Sequence, residues 1–196
     1  MAPRQKFSKE EILRAAFQLV REQGIENLNA RNIAKMLNSS TQPVFSYYEN
    51  MADLKTDLLA LVSSYHSGIF KKIEDDEDMM LNVGMAYVDF ALEEPNLFRM
   101  LFMSDGFSGR KLTELFEEHP DDFFKDCPQN IEQAIAKKYD MDSPETNRIF
   151  YDIWLYAHGI ASMLVANQMP TPRIEIEAMI RNMYNLLLTQ AKRREE

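Results

Sequence analysis

The chain has 196 residues, 45% hydrophobic and 27% charged, the balance of a globular protein with one substantial core or two small ones rather than a disordered acidic tail. Its net charge of −9 is uneven: residues 1–50 carry +2 and the remainder −11, so a nucleic-acid surface belongs in the first fifty residues, because the acidic remainder repels phosphate. No apolar run approaches the ~20 residues a bilayer requires, the opening residues lack a signal-peptide pattern, and the single cysteine, Cys127, excludes an internal disulfide or a CxxC site. The expectation is a cytoplasmic chain with no membrane partner.

Six Gly and eight Pro are too few for an all-β domain, and six Val and six Thr against 19 Leu and 13 Met favour helices, where unbranched side chains lose less rotamer freedom. The fold class expected is all-α. Ser8-Lys9-Glu10-Glu11 is a capping box that opens a first helix through Ile12, Leu13, Ala16, Phe17 and Val20, and Gly24 closes it. Asn29 caps a short second helix with Ile33, Ala34 and Leu37 on its apolar face. After the polar break Asn38-Ser39-Ser40, Thr41 to Tyr48 forms a third helix with Pro43 in its first turn. Two short helices across a polar turn, buttressed by a longer one, make a helix-turn-helix pattern. A fourth helix begins at Leu54 and runs to about Ile73. The run Glu74-Asp75-Asp76-Glu77-Asp78 lacks the glycine and alternation of a calcium loop and reads as a solvated connector.

Residues 79–103 are helical with a break at Glu94-Pro95, 106–128 are less regular, and a helix is expected from Cys127 to Tyr139. Ser143-Pro144 opens a long helix to about Gln168, and a last one runs from about Arg173 to Lys192. The domains expected are thus 1–50, with the start of a connecting helix to about 73, and 74–196. The last two helices are apolar around most of their circumference: Ile149, Ile153, Trp154, Ala157, Ala161, Leu164 and Val165 in one, Ile176, Ile180, Met183 and Leu187 in the other. Such helices need covering on more than one side, and a second copy of the chain, pairing through these two helices, is the simplest cover.

The residues Ile12-Leu13, Ala15-Ala16, Phe17, Gly24, Ile33-Ala34, then Ser40 to Asn50 and Asp53-Leu54, resemble the TetR family of bacterial transcriptional regulators. Trp154-Leu155-Tyr156-Ala157-His158-Gly159 is similar to a stretch of the ligand domain in some members. Three positions depart from the family pattern: Asn38 replaces the usual turn glycine, Met51 the lysine that commonly follows the recognition helix, and Pro43 a small hydroxyl residue. The resemblance implies an N-terminal helix-turn-helix domain, a C-terminal helical ligand-binding and dimerisation domain, and a repressor released by a small-molecule effector.

On this reading Thr41, Gln42, Val44, Phe45, Ser46 and Tyr47 face a major groove. Gln suits adenine edges, hydroxyls suit several acceptors, and Val or Phe suits thymine methyls. The third helix has no arginine for guanine, so A·T-rich core positions are expected. Tyr47, Lys6, Lys9, Arg31 and Lys55 are candidate phosphate contacts, with Asn29 and the start of the second helix beside them. Tyr48 is expected in the core. A module this small reads ~4–6 base pairs, too few for a genome, so two copies on a palindromic double-stranded operator are required. The candidate effector pocket is lined by Phe90, Phe98, Leu101, Phe107, Phe116, Phe123, Tyr151, Trp154, Leu155 and His158, although aromatic residues at helical spacing also simply fill cores, and His158 reads as a satisfied core histidine or a ligand contact. GxGxxG, P-loop, HExxH and GxSxG motifs are lacking, and His66, His119 and His158 are too scattered for a metal motif. No enzyme, catalytic residue, metal or cofactor is expected. The competing reading is a helical interaction or adaptor protein with a degenerate helix-turn-helix.

Overall fold

Every regular element among the described residues, 7–70, 73, 78–104 and 143–195 of a computed structural model, is a helix. The irregular stretch expected over 106–128 and the helix expected over 127–139 lie outside them. The capping box opens α1 (Lys9–Gln23): the Ser8 hydroxyl accepts from the Glu11 amide at 3.1 Å, and the Glu11 carboxylate accepts from the Ser8 amide at 2.7 Å. The two bonds satisfy amides that a helix start otherwise orphans, and the Ser8 amide, donating to the Glu11 carboxylate, is the main cause that holds that carboxyl below its ordinary range. Gly24 closes α1 at φ +86°, where a Cβ would collide with the Glu26 carboxylate. One 3-10 turn (Ile25–Asn27) then leads to Asn29, whose Oδ1 accepts from the Asn32 amide at 2.9 Å and caps α2 (Ala30–Met36).

Asn38 makes the turn in the left-handed region at φ +47°, the conformation for which glycine is usual and asparagine tolerated. The third helix, α3 (Gln42–Phe45), is shorter than the Thr41–Tyr48 expected, but the Tyr48 amide still donates to the Val44 carbonyl at 3.1 Å, so the last turn is loosened rather than lost. By contrast α4 (Met51–Phe70) begins three residues before Leu54, because Asn50 caps it, accepting from the Ala52 and Asp53 amides at 2.8 and 3.0 Å. Helices α5 (Met79–Glu93) and α6 (Pro95–Phe102) are separated at Glu94, as the proline requires, and α7 (Ser143–Asn167) and α8 (Arg173–Glu195) complete the described chain.

The chain divides into two compact units, Met1–Tyr65 with Glu94–Ser108, and His66–Glu93 with Gly109–Glu196. In the first, Ile12, Ala16, Leu19 and Val20 of α1 meet Ile33 of α2, Val44 of α3, Leu54, Leu58 and Val62 of α4, and Leu97, Phe98 and Met100 of α6, all buried. Helix α6 packs on α1, and the contact is fixed by a carboxylate. Glu94, buried at the α6 start, takes both nitrogens of an Arg21 fork, its Oε2 accepting from Arg21 Nε at 2.7 Å, and also accepts from the Tyr65 hydroxyl at 3.0 Å. The Asn96 side-chain Nδ2 donates to the Arg21 carbonyl at 3.0 Å. The Arg21 guanidinium is pushed up in pKa, chiefly by its bond to Glu94.

In the second unit α5, α7 and α8 pack mutually. The α5–α8 crossing is close at Gly84, where an added Cβ would lie 3.1 Å from Ile180. Ion pairs flank it: Arg173 on Asp89 at 2.9 Å and Arg181 on Asp78 at 2.9 Å. No helix among the described residues is long and apolar enough to cross a membrane, and no group of three or more His, Cys, Asp or Glu among them could hold a metal ion.

Candidate nucleic-acid interface

Burial separates two kinds of residue on α3. Val44, expected in the groove, is 0% exposed, because a one-turn helix must spend a side chain holding itself against its neighbours, and Val44 is the one spent. That corrects the expectation. Gln42 faces solvent, and Phe45 is 51% exposed, an uncommon placement for an aromatic side chain in a domain of this kind. Thr41 and Phe45 form one wall of a cleft of about 550 Å³ whose other wall is Asn29, Ala30, Arg31 and Asn32 at the start of α2. The fork between the two short helices is therefore open, with an exposed arginine on one side and an exposed ring on the other. The Ser46 hydroxyl donates to the Gln42 carbonyl at 2.9 Å, which leaves it lone pairs for an incoming donor but no proton to give.

Several candidate phosphate contacts are engaged within the fold. The Lys9 ammonium lies 2.6 Å from the Asp57 carboxylate and 5.1 Å over the Tyr48 ring. The Asp57 carboxyl is held below its usual range, first by Lys9 and then by the Tyr48 hydroxyl, which donates to it at 3.2 Å. Burial, with Asp57 nearby, pushes the Tyr48 hydroxyl up to about 12. Tyr48 is a core residue, as expected. Asn29 is occupied as the α2 cap, its amide also donating to the Asn27 carbonyl at 3.2 Å. Tyr47 is half-buried, and its one hydroxyl proton goes to the Phe7 carbonyl at 3.0 Å. Lys55 is half-buried and Arg31 exposed, and Lys6 lies outside the described residues. Lys35, exposed on α2, and Asn32, in the cleft wall, went unnoticed in the sequence, although the period of α2 sets both opposite Ile33 and Ala34.

The described effector candidates fall in two units. Phe98 and Leu101 lie on α6, in the same unit as α1, with Phe98 fully buried. The reason is the break at Glu94, which ends α5 and hands α6 to the first unit. Phe107, Phe116 and Phe123 lie outside the described residues. Phe90, Tyr151, Trp154, Leu155 and His158 are all in the second unit. Phe90 is buried with its ring edge-on to His66 at 4.8 Å, while the other four are half-buried. Trp154 stacks on His158 with centroids 5.1 Å apart. His158 Nδ1 lies 2.8 Å from the Tyr87 hydroxyl and Nε2 3.2 Å from the Ser162 hydroxyl. Burial raises the Tyr87 hydroxyl well above its ordinary pKa and lowers that of the imidazole, so a neutral ring accepting from Tyr87 at Nδ1 and donating to Ser162 from Nε2 satisfies all three groups.

Similar architectures are known. A TetR transcriptional regulator from Rhodococcus sp. RHA1 matches over 92% of this chain and 96% of its own, at 15% identity and a TM-score of 0.52. A member of the TetR family from Streptomyces coelicolor A3 matches over 89% and 96%, at 12% identity and a TM-score of 0.60. At such identities the likeness is one of fold. No curated protein matches the chain by sequence. Residues 80–187, more than half of the chain, match the family model of the tetracyclin repressor-like C-terminal domain, and the chain belongs to the TetR family of transcriptional regulators.

Proposed function

We propose that this protein is a cytoplasmic DNA-binding repressor that grips a palindromic operator as a homodimer and is released by a small-molecule effector. The observation that carries the reading is the open fork of α2 and α3, where Gln42 and Phe45 are exposed beside Arg31 and Thr41 while Val44 and Tyr48 hold the helix in place. Gln42 then reads an adenine edge and Phe45 covers thymine methyls, with Arg31 and Lys55 on phosphates. Residues 1–50 and the connecting helix to about 73 supply the DNA surface, and 74–196 supply dimerisation and effector binding, with α6 packed beside α1. Dimerisation draws on apolar surface that a lone chain exposes on its last two helices and the link between them, with Met163 at 57%, Ile174 at 71% and Leu186 at 52%. The effector reading draws on Phe90, Tyr151, Trp154, Leu155 and His158, which favour an aromatic or apolar molecule with few polar groups.

Selection of bound duplexes from a randomised pool tests the proposal. The expected product is an inverted repeat with A·T pairs at its core positions, and recovery of no duplex, or of G·C-only half-sites, contradicts it. The adaptor alternative rests on Met51 in place of lysine and on Lys9 being held by Asp57. Salt separates the two: phosphate contacts weaken steeply as salt rises, and an apolar protein interface does not.

A further inference from the structure

Each cation of α1 is held by a carboxylate: Lys9 by Asp57 at 2.6 Å, Arg14 by Glu10 at 2.6 Å, and Arg21 by Glu94. The cations of α2, Arg31 and Lys35, are exposed and hold no carboxylate among the described residues. Lys9 is the α1 cation that lies beside the recognition helix. Its ammonium sits 5.1 Å over the ring of Tyr48, whose amide donates to the Val44 carbonyl of α3. Tyr48 follows the exposed Phe45 by three residues, ~5 Å along a helix. The carboxylate that takes Lys9 comes from α4 and is fixed in turn, because Asp57 Oδ2 also accepts from the Tyr48 hydroxyl at 3.2 Å. Lys9, Tyr48 and Asp57 thus close into a triangle at the end of α3. The Lys9 side chain remains 53% exposed, open to an approaching duplex. A phosphate oxygen bonded to the ammonium at ~2.8 Å lies at most about 5.4 Å from Asp57 Oδ2, which is itself 2.6 Å from the ammonium. At a common dielectric the carboxylate then cancels about half of the lysine's attraction, and more in any bent arrangement. A lysine that leaves the triangle forfeits both Asp57 and the Tyr48 ring.

We infer that Asp57 sets the strength of the grip on DNA: it withholds Lys9 from operator phosphates and leaves their neutralisation to cations without a carboxylate partner, such as Arg31. The inference rests on the DNA-binding reading above and adds to it a residue outside the α2–α3 fork that limits affinity. The coupling that an effector supplies is finite, typically about 5–150-fold. A grip short of the strongest available therefore suits a repressor that has to let go.

The test is the salt dependence of binding by the full chain to the duplex recovered in the selection. Asp57→Asn keeps an oxygen to accept from the Tyr48 hydroxyl and removes the charge that holds Lys9. Each neutralised phosphate contributes about 0.9 to the slope of log affinity against log salt, so this variant is expected to bind more tightly and to steepen the slope by about 0.9 per chain, or about 1.8 for a dimer. Adding Lys9→Gln is expected to return the slope to that of the unsubstituted protein. Asp57→Ser, which also keeps an acceptor, is expected to steepen the slope equally and serves if Asp57→Asn fails to fold. An unchanged or flatter slope on removal of the carboxylate overturns the inference, since Lys9 would then be on a phosphate already or out of reach of one, and leaves the DNA-binding reading intact. A gain that survives Lys9→Gln overturns it too, because the carboxylate would be repelling DNA directly rather than through Lys9. Failure of the unsubstituted chain to bind any duplex refutes the DNA-binding reading and this inference with it.

Discussion

Phe45 and Val44 are adjacent, and only one of them can serve DNA. Val44 is sealed in the core, so its truncation is a stability event, whereas the half-exposed Phe45 ring has little to hold up. Phe45→Ala is expected to weaken operator binding and leave thermal unfolding nearly unchanged. If the ring covers thymine methyls, replacing one contacted thymine by uracil costs the unsubstituted protein about 0.8 kcal/mol, roughly fourfold in affinity. The same replacement costs Phe45→Ala nothing. Fluorescence anisotropy on thymine and uracil duplexes reads both, and an equal uracil penalty in both proteins contradicts the assignment. His158 makes a prediction of another kind. Burial depresses its folded pKa below the ordinary 6.5, so the unfolded chain takes the proton first. The stability of the neutral ring is therefore full above about pH 6.5 and is lost as pH falls through the depressed folded value. Urea midpoints should fall between about pH 7 and 5, and His158→Asn should flatten that fall. An equally steep fall in the variant would show that His158 does not titrate as described.

Helix α6 is tied to α1 by one buried carboxylate, and that contact can be weighed. Removing Arg21 leaves Glu94 with only the Tyr65 hydroxyl as a donor from a side chain of α1 or α4. Because the Arg21 side chain is itself partly exposed, Arg21→Ala is expected to cost about 1–3 kcal/mol rather than the ~3–5 of a fully buried pair. Arg21→Ala/Glu94→Gln should recover part of this, since the stranded charge is gone. Urea denaturation measures both, and a double variant no better than the single one contradicts the account. Local signals made most of these elements legible: the Ser8–Glu11 box, the Asn29 cap, Asn38 in the turn and the Glu94-Pro95 break each announce themselves within four residues. The α4 start precedes the apolar spacing that opens at Leu54, and Asn50 followed by Asp53 is the capping signal that marks it. What distant residues decide was not legible. Nothing near Phe98 says that α6 joins α1, nothing near Lys9 names Asp57, and only the packed fold shows that Val44, rather than Phe45, is the residue turned inward.

At the scale of the whole molecule, one helix-turn-helix is too small to find an operator, and the apolar surface left at Met163, Ile174 and Leu186 is what a second copy would cover. On the proposed reading the two are linked, since pairing through α7 and α8 would bring a second α3 to the same duplex. Footprinting of the protein on its selected duplex, with the stoichiometry read by sedimentation, tests that link most directly. The account predicts two chains per duplex and two protected patches centred about 34–36 Å apart, one helical turn, or a small multiple of it. One chain per duplex with a single protected patch would contradict it.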